Sequence, residues 1–328
     1  MTGRDDIQLD SIRAALERLE AYIYPLRIAP SPSLSERCST EVLLAHEYLQ
    51  ITGSFKLRGA LNSVLQLGTA GGIAGVTAVS TGNHGKALAY SARLAGIPCI
   101  ICMSSLAPQN KVEAIRSLGA EIRIIGQSQD EAEQEANRLV NEEAYLMIPP
   151  FEHPHVIEGQ GTLGIEMLEQ HPDVDSLLVQ LSGGGLISGI ARAVKSQKPE
   201  VKITGISMER GCAMIESQRA GKPVEVEELP TLADSLGGGI GLENRWTFDI
   251  VRDQVDELIT LSEEEIAEGI RHAYFREQVI LEGGGAVGIA AILADKLKPA
   301  GKTIVLLSGK NIDMELHRKV INRQDYEL

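Results

Sequence analysis

Short apolar runs separated by amphipathic stretches recur along most of the chain, at residues 42–45, 76–79, 98–103, 122–125, 177–181, 203–206 and 303–307. Each is long enough for one strand and lacks the polar alternation of a half-solvated strand, so each reads as a parallel strand covered on both faces. Helical patterns lie between them, at 85–95, 110–118, 129–143, 161–169, 186–196 and 286–297. Strand and helix alternating this often predict an α/β fold of open, twisted, mostly parallel sheets. An earlier helix is predicted from Asp10 as N-cap, with Ile12, Leu16, Leu19 and Ile23 on one stripe before Pro25.

At 328 residues the chain exceeds one minimal core, so two lobes are expected. The stretch 146–158, with Pro149, Pro150 and Pro154, breaks the alternation and predicts a crossing between lobes near residue 150. The expected organisation is a discontinuous large lobe, 1–70 with 150–328, and a small α/β lobe, 71–149. Asp and Glu outnumber Lys and Arg by 45 to 31, and no basic cluster stands out to meet a phosphodiester backbone, so nucleic acid is not an expected partner. No apolar run approaches the roughly 18 residues of a membrane span, and the polar, acidic N-terminus is unlike a signal peptide. A cytoplasmic protein with no membrane partner is expected. The scattered Cys38, Cys99, Cys102 and Cys212 are too few for a disulfide framework in a chain this large. Cys99 and Cys102 have redox-motif spacing but lie within an apolar run that reads as a buried strand.

Four segments carry chemistry. In the first, Lys56 follows the small-residue turn Thr52-Gly53-Ser54-Phe55 and precedes an amphipathic helix. A lysine among apolar neighbours can lose its proton and attack an aldehyde. In the second, Ser80-Thr81-Gly82-Asn83-His84-Gly85 joins a strand to a helix, offering unpaired backbone N–H groups to an anion such as a substrate carboxylate. His84 reads there as a packing histidine rather than a proton-transfer group. In the third, Ser182-Gly183-Gly184-Gly185-Leu186 again joins strand to helix, and consecutive glycines let the backbone close round a phosphate. In the fourth, Ser308 emerges at the carboxyl end of a strand, where open α/β sheets bind ligands. Gly159, Gly161 and Gly164 have dinucleotide-fingerprint spacing without a preceding strand, and read as a tight helix start. Gly301-Lys302-Thr303 lacks the earlier glycine of a nucleotide-triphosphate loop.

Taken in order, these four segments resemble the serine/threonine dehydratase family of pyridoxal-phosphate enzymes, a branch of the tryptophan synthase β fold (fold type II) that includes serine racemase. The resemblance runs from about Asp10 to Asp313, and Leu57-Arg58-Gly59-Ala60 after the lysine matches the dehydratase branch rather than the cysteine synthases. It implies pyridoxal 5'-phosphate as cofactor, held by Lys56 with its neighbour Phe55. Lys56 would also act as base at the substrate's α carbon. Asn83 and Glu282 would lie near the cofactor ring, Ser182, Gly183, Gly184, Gly185 and Leu186 would bind its phosphate, and Ser308 would meet its ring nitrogen. Ser80, Thr81, Asn83 and His84 would hold the substrate carboxylate. The implied reaction eliminates water from a small 3-hydroxy amino acid, leaving a 2-oxo acid and ammonia, in a homodimer or homotetramer.

Departures refine this. Thr81 stands where serine racemases carry a serine that works as acid or base on the opposite face, so Thr81 is a catalytic candidate but racemisation is less expected. Glu209 and Ala213 match the family's divalent-cation loop, whereas Ile215 replaces its second carboxylate, leaving the cation weakly supported. Leu44-Ala45-His46-Glu47 departs from the family's common Lys-x-Glu pattern. The chain stops soon after Asp313, without length for the regulatory domain of biosynthetic threonine deaminases, which favours a catabolic enzyme. Ala233 to Gly241 and Met208 to Gly211 resemble most the hydroxyectoine-utilisation dehydratases, and the successive Gly237, Gly238 and Gly239 suit a substrate longer than threonine. The alternatives are an amino-acid racemase, a β-replacement enzyme and a non-catalytic pyridoxal-phosphate-binding regulatory protein.

Overall fold

The computed structural model describes residues 6–68, 72–107, 109–127, 129–299 and 301–328, so the acidic start at 1–5 and the expected boundary at 70–71 lie outside the described residues. The strands are β1 (Ile28–Pro30), β2 (Val42–Ala45), β3 (Gly75–Val79), β4 (Cys99–Met103), β5 (Glu121–Ile124), β6 (Tyr145–Met147), β7 (Ser176–Gln180), β8 (Lys202–Met208), β9 (Glu257–Leu261) and β10 (Thr303–Leu306). The helices are α1 (Leu9–Leu19), α2 (Pro32–Cys38), α3 (Lys56–Leu67), α4 (Asn83–Ala95), α5 (Gln109–Ser117), α6 (Gln129–Glu143), α7 (Pro154–Gln170), α8 (Gly185–Lys195), α9 (Ala213–Ala220), α10 (Thr247–Gln254), α11 (Glu263–Phe275), α12 (Gly283–Leu293) and α13 (Met314–Ile321). No helix among the described residues is long and apolar enough to cross a membrane.

Two sheets organise these elements. A six-stranded sheet runs β1-β2-β10-β7-β8-β9 and a four-stranded sheet runs β5-β4-β3-β6. All described pairings are parallel except β1 with β2. Successive strand residues point to opposite faces, and in the larger sheet both faces are packed. Leu43, Leu177, Val179, Ile304 and Leu306 enter one core with α7 and α8, whereas Val42, Leu44, Leu178 and Val305 enter another with α11 and α12. Burial on both faces explains the unbroken apolar runs in the sequence.

Departures from the expected pattern fall where burial is incomplete. β1 and β6 are edge strands of only three residues with half-buried or exposed side chains, too short to stand out as strands, and β9 alternates exposed, half-buried and buried residues. The N-cap of α1 is Gln8, not Asp10: the Gln8 N–H donates to Ser11 Oγ at 3.2 Å. Asp10 instead lies in the first turn, where the helix dipole favours its charge. The expected break at 146–158 is confined to 148–153, because β6 precedes it and α7 starts at Pro154.

The glycines at 159, 161 and 164 correct a second expectation, since they lie inside α7 and not at its start. They are seams. A Cβ on Gly159 would come within 2.6 Å of the Arg58 carbonyl in α3, and one on Gly161 within 2.9 Å of the Gly189 carbonyl in α8. Gly59 and Gly189 return the contact at 2.9 Å and 2.3 Å from the carbonyls of Val156 and Ile157. Backbone-to-backbone packing on both seams makes α7 a spine that fixes α3 and α8, whose first turns carry Lys56 and the triple-glycine turn.

Candidate active site

Lys56 is the first residue of α3, reached through a turn pinned to the end of the larger sheet. Phe55 N–H donates to the Ser308 carbonyl at 2.9 Å, Lys310 N–H donates to the Gly53 carbonyl at 3.0 Å, and Ser54 bridges Gly309. Gly53 takes φ +78°, a conformation that favours glycine. One helical position pair further on, Arg58 is wholly buried and bonds Glu47 at 2.7 and 3.0 Å and Thr162 at 3.0 Å, and it also donates to Glu166. This buried network locks the first turn of α3 against β2's exit and α7. The Lys56 amine donates to the Pro150 carbonyl at 2.8 Å and lies 5.3 Å from the Phe55 ring centroid. Burial pulls its pKa down to about 8, against the nearby Glu282 charge, which raises it.

The triple-glycine turn joins β7 to α8. Gly184 is the N-cap at φ +89° and gives no side-chain cap, so the N–H groups of the first turn have no intrahelical partner. A side chain would not fit: a Cβ on Gly183 would lie 2.4 Å from the Phe151 ring and one on Gly184 2.8 Å from Met214. Phe151 belongs to the crossing segment, held by its neighbour Glu152. The Glu152 carboxylate accepts from the N–H groups of Trp246 at 2.8 Å and Thr247 at 3.2 Å and from Thr247 Oγ1 at 2.8 Å, capping α10.

At the start of α4, Ser80 Oγ accepts from the N–H groups of Gly82 at 3.3 Å and Gly85 at 3.1 Å. Thr81 sits beside it on the cleft wall. His84 Nε2 is 2.7 Å from the Ile148 carbonyl and must carry the proton there, since a carbonyl only accepts. Its buried Nδ1 has no partner among the described residues. Burial, then the Lys56 charge, press the His84 pKa down to about 3, so the ring is neutral across the physiological range, in keeping with a packing histidine.

Asn83 and Glu282 meet across the cleft. Asn83 Nδ2 donates to Glu282 Oε1 at 2.7 Å, Asn311 N–H donates to Glu282 Oε2 at 2.9 Å, and Asn311 Nδ2 donates to Asn83 Oδ1 at 2.5 Å. Burial raises the Glu282 pKa to about 7, with Asp234 adding to it and the bonds from Ser235, Asn83 and Asn311 opposing it. Lys86 Nζ reaches Asn311 Oδ1 at 3.1 Å, and Lys111 pairs with Asp234 at 2.9 Å. Ser308 lines the same wall.

The sequence-derived candidates Phe55, Lys56, Ser80, Thr81, Asn83, His84, Ser182, Gly183, Gly184, Gly185, Leu186, Glu282 and Ser308 all line one cleft of about 270 Å³. Glu209 and Ala213 are not among its lining residues. A wider, more open hollow of about 530 Å³, beside Arg271, His272 and Phe275, contains none of the candidates. Sequence reasoning missed Phe151, Glu152, Asn311 and the role of Arg58. Only Arg58 left a signal, a charge between Leu57 and Leu61 in the amphipathic helix after Lys56.

The cleft fits the implied cofactor on its own chemistry. It offers a buried amine drawn to a pKa of about 8, an uncapped glycine turn at a helix N-terminus for a phosphate, a strand-end hydroxyl and the buried Gln180 Oε1, which has no partner among the described residues. Comparison with known proteins agrees. The pyridoxal-phosphate dependent enzyme family matches residues 19–309. A Sinorhizobium fredii protein, provisionally named a threonine dehydratase, is 53% identical over 323 residues, covering 98% of this chain and 97% of its own. The L-threonine ammonia-lyase of Thermotoga maritima is 41% identical over 318 residues, 97% of this chain and 79% of that one. The structure of maize serine racemase superposes with a TM-score of 0.90 at 32% identity, covering 97% of each chain. The chain thus belongs to the pyridoxal-phosphate-dependent enzymes of fold type II, within the serine/threonine dehydratase family.

Proposed function

We propose that this protein is a carbon–oxygen lyase that removes water from a small 3-hydroxy amino acid and yields a 2-oxo acid and ammonia. One observation carries the reading: an amine drawn to a pKa of about 8 shares its cleft with an uncapped glycine turn and a strand-end hydroxyl. When bound, pyridoxal phosphate supplies an electron sink for bond breaking next to the substrate's α carbon. In this reading Lys56 holds the cofactor and moves the proton at that carbon, which its low pKa suits. The N–H groups of the triple-glycine turn, with Ser182 and Leu186, bind the phosphate, while Asn83 and Glu282 orient the ring. Ser308 would offer the ring nitrogen a neutral hydroxyl where a carboxylate would favour its protonation, a setting suited to loss of a β leaving group. Ser80, Thr81, Asn83 and His84 hold the substrate carboxylate at the start of α4.

For the substrate we favour a side chain longer than threonine's, as in hydroxyectoine utilisation. Gly238 lines the cleft, and a Cβ on Gly238 or Gly239 would meet nothing within 4 Å. The same reading assigns residues 1–70 and 150–328 to a cofactor-binding lobe and 71–149 to a small lobe. It takes the protein as a cytoplasmic homodimer or homotetramer. The test is release of ammonia and 2-oxo acid from threonine, serine, 3-hydroxyaspartate and acylated 3-hydroxy diamino acids, with Lys56→Ala as control. Turnover of at least one, lost in the variant, is expected. Inversion of substrate chirality without 2-oxo acid would favour the racemase reading, to which the likeness to serine racemase lends support. Silence on all of them would favour a non-catalytic binding protein.

A further inference from the structure

The loop after β8 is where the family resemblance implies a divalent cation, and its residues do not fit one. Ile215 is 3% exposed and packed in the apolar core, so it offers no oxygen. Ala213 has an apolar side chain and opens α9, so it could offer a cation only a backbone carbonyl of the helix's first turn. The Glu209 carboxylate is engaged by an ammonium, with Lys296 Nζ 3.3 Å from Glu209 Oε1. Calcium and magnesium seek about six oxygen ligands, and among the described residues no group of three or more His, Cys, Asp and Glu side chains could hold a metal ion.

Lys296 does more than neutralise Glu209. Its Nζ lies 2.8 Å from Glu265 Oε2 and donates to the Thr260 carbonyl at 2.9 Å. Glu265 Oε2 also accepts from the N–H of Ser262, the N-cap of α11, at 2.7 Å. Lys296 itself follows the end of α12, with its N–H donating to the Ala291 carbonyl at 3.2 Å. One positive centre surrounded by oxygens thus joins the β8–α9 loop, the end of β9, the start of α11 and the end of α12. A bound cation would tie chain segments together in the same manner, by drawing oxygens from separate elements onto one charge.

We propose that Lys296 takes over at this loop the structural role of the divalent cation, so that the protein keeps its fold and its activity without one. A charge fixed to the chain cannot be removed by dilution or chelation, whereas a bound ion stabilises only in proportion to its free concentration. The test compares thermal melting and turnover of the holoenzyme after exhaustive dialysis against EDTA, then with magnesium, calcium or manganese added back. Wild-type protein is expected to melt at one temperature throughout and to hold its rate within about twofold. Lys296→Met, which keeps the stem and loses the charge, is expected to melt about 1–3 °C lower in EDTA, with Lys296→Arg recovering part of the loss. A wild-type melting temperature or rate that falls in EDTA and returns with magnesium or calcium would overturn the proposal. So would a Lys296→Met variant that melts with the wild type.

Discussion

Capture of the cofactor by the apoprotein should follow the protonation of Lys56, because only a neutral amine attacks an aldehyde. Burial in the cleft lowers this amine from 10.5 to about 8, and the opposing charge of Glu282 does not cancel the shift. With a pKa near 8, roughly one amine in ten is neutral at pH 7 and about nine in ten at pH 9. An unperturbed lysine would be neutral in only about 3 parts in 10,000 at pH 7, so the cleft raises the neutral fraction about 300-fold there. Stopped-flow absorbance after mixing apoprotein with excess pyridoxal phosphate should give a rate that rises about tenfold from pH 7 to 9 and then levels off. Circular dichroism at each pH controls for loss of fold. A rate still climbing tenfold per pH unit above pH 9 would mean that the amine is solvated, and the account of the site would fail at its first residue.

Replacing Arg58 with Met should leave Glu47 and Glu166 buried without their partner, at a cost of about 3–5 kcal/mol and a melting point about 4–7 °C lower; calorimetry on the cofactor-free protein reads it. Gly183→Ala would set a Cβ 2.4 Å from the Phe151 ring and should weaken pyridoxal-phosphate binding by about tenfold or more, measured by equilibrium dialysis. Adding Phe151→Ala should restore part of that affinity, since the two changes share one contact. Glu282 is raised from 4.5 to about 7 in the folded state, so the stability it lends is full below pH 4.5 and is lost as pH rises through about 7. Melting curves of the apoprotein between pH 5 and 8 should therefore decline less for Glu282→Gln than for wild type, and parallel declines would contradict the assignment.

The α/β class and the residues gathered at the candidate cleft were both legible in the sequence, for one reason: strands buried on both faces need unbroken apolar runs, and the turns at their ends need glycine or small residues. Lys56, the Ser80–Asn83 turn, the triple glycine and Ser308 each stood at such a strand end or helix start, and the fold gathers them along one cleft. The edge strands β1 and β6 were not legible, because three residues beside Pro-containing segments are too short to mark a strand. Nor was the spacing of Gly159, Gly161 and Gly164 open to a correct reading, since its cause is the approach of α3 and α8 to either side of α7. Tertiary structure alone decided the partners of charged groups: Arg58 with Glu47 and Glu166, Glu152 on the α10 N-terminus, Lys296 between Glu209 and Glu265. Local sequence writes secondary structure and glycine turns through backbone sterics, whereas an ion pair between residues 87 positions apart exists only once the chain has folded.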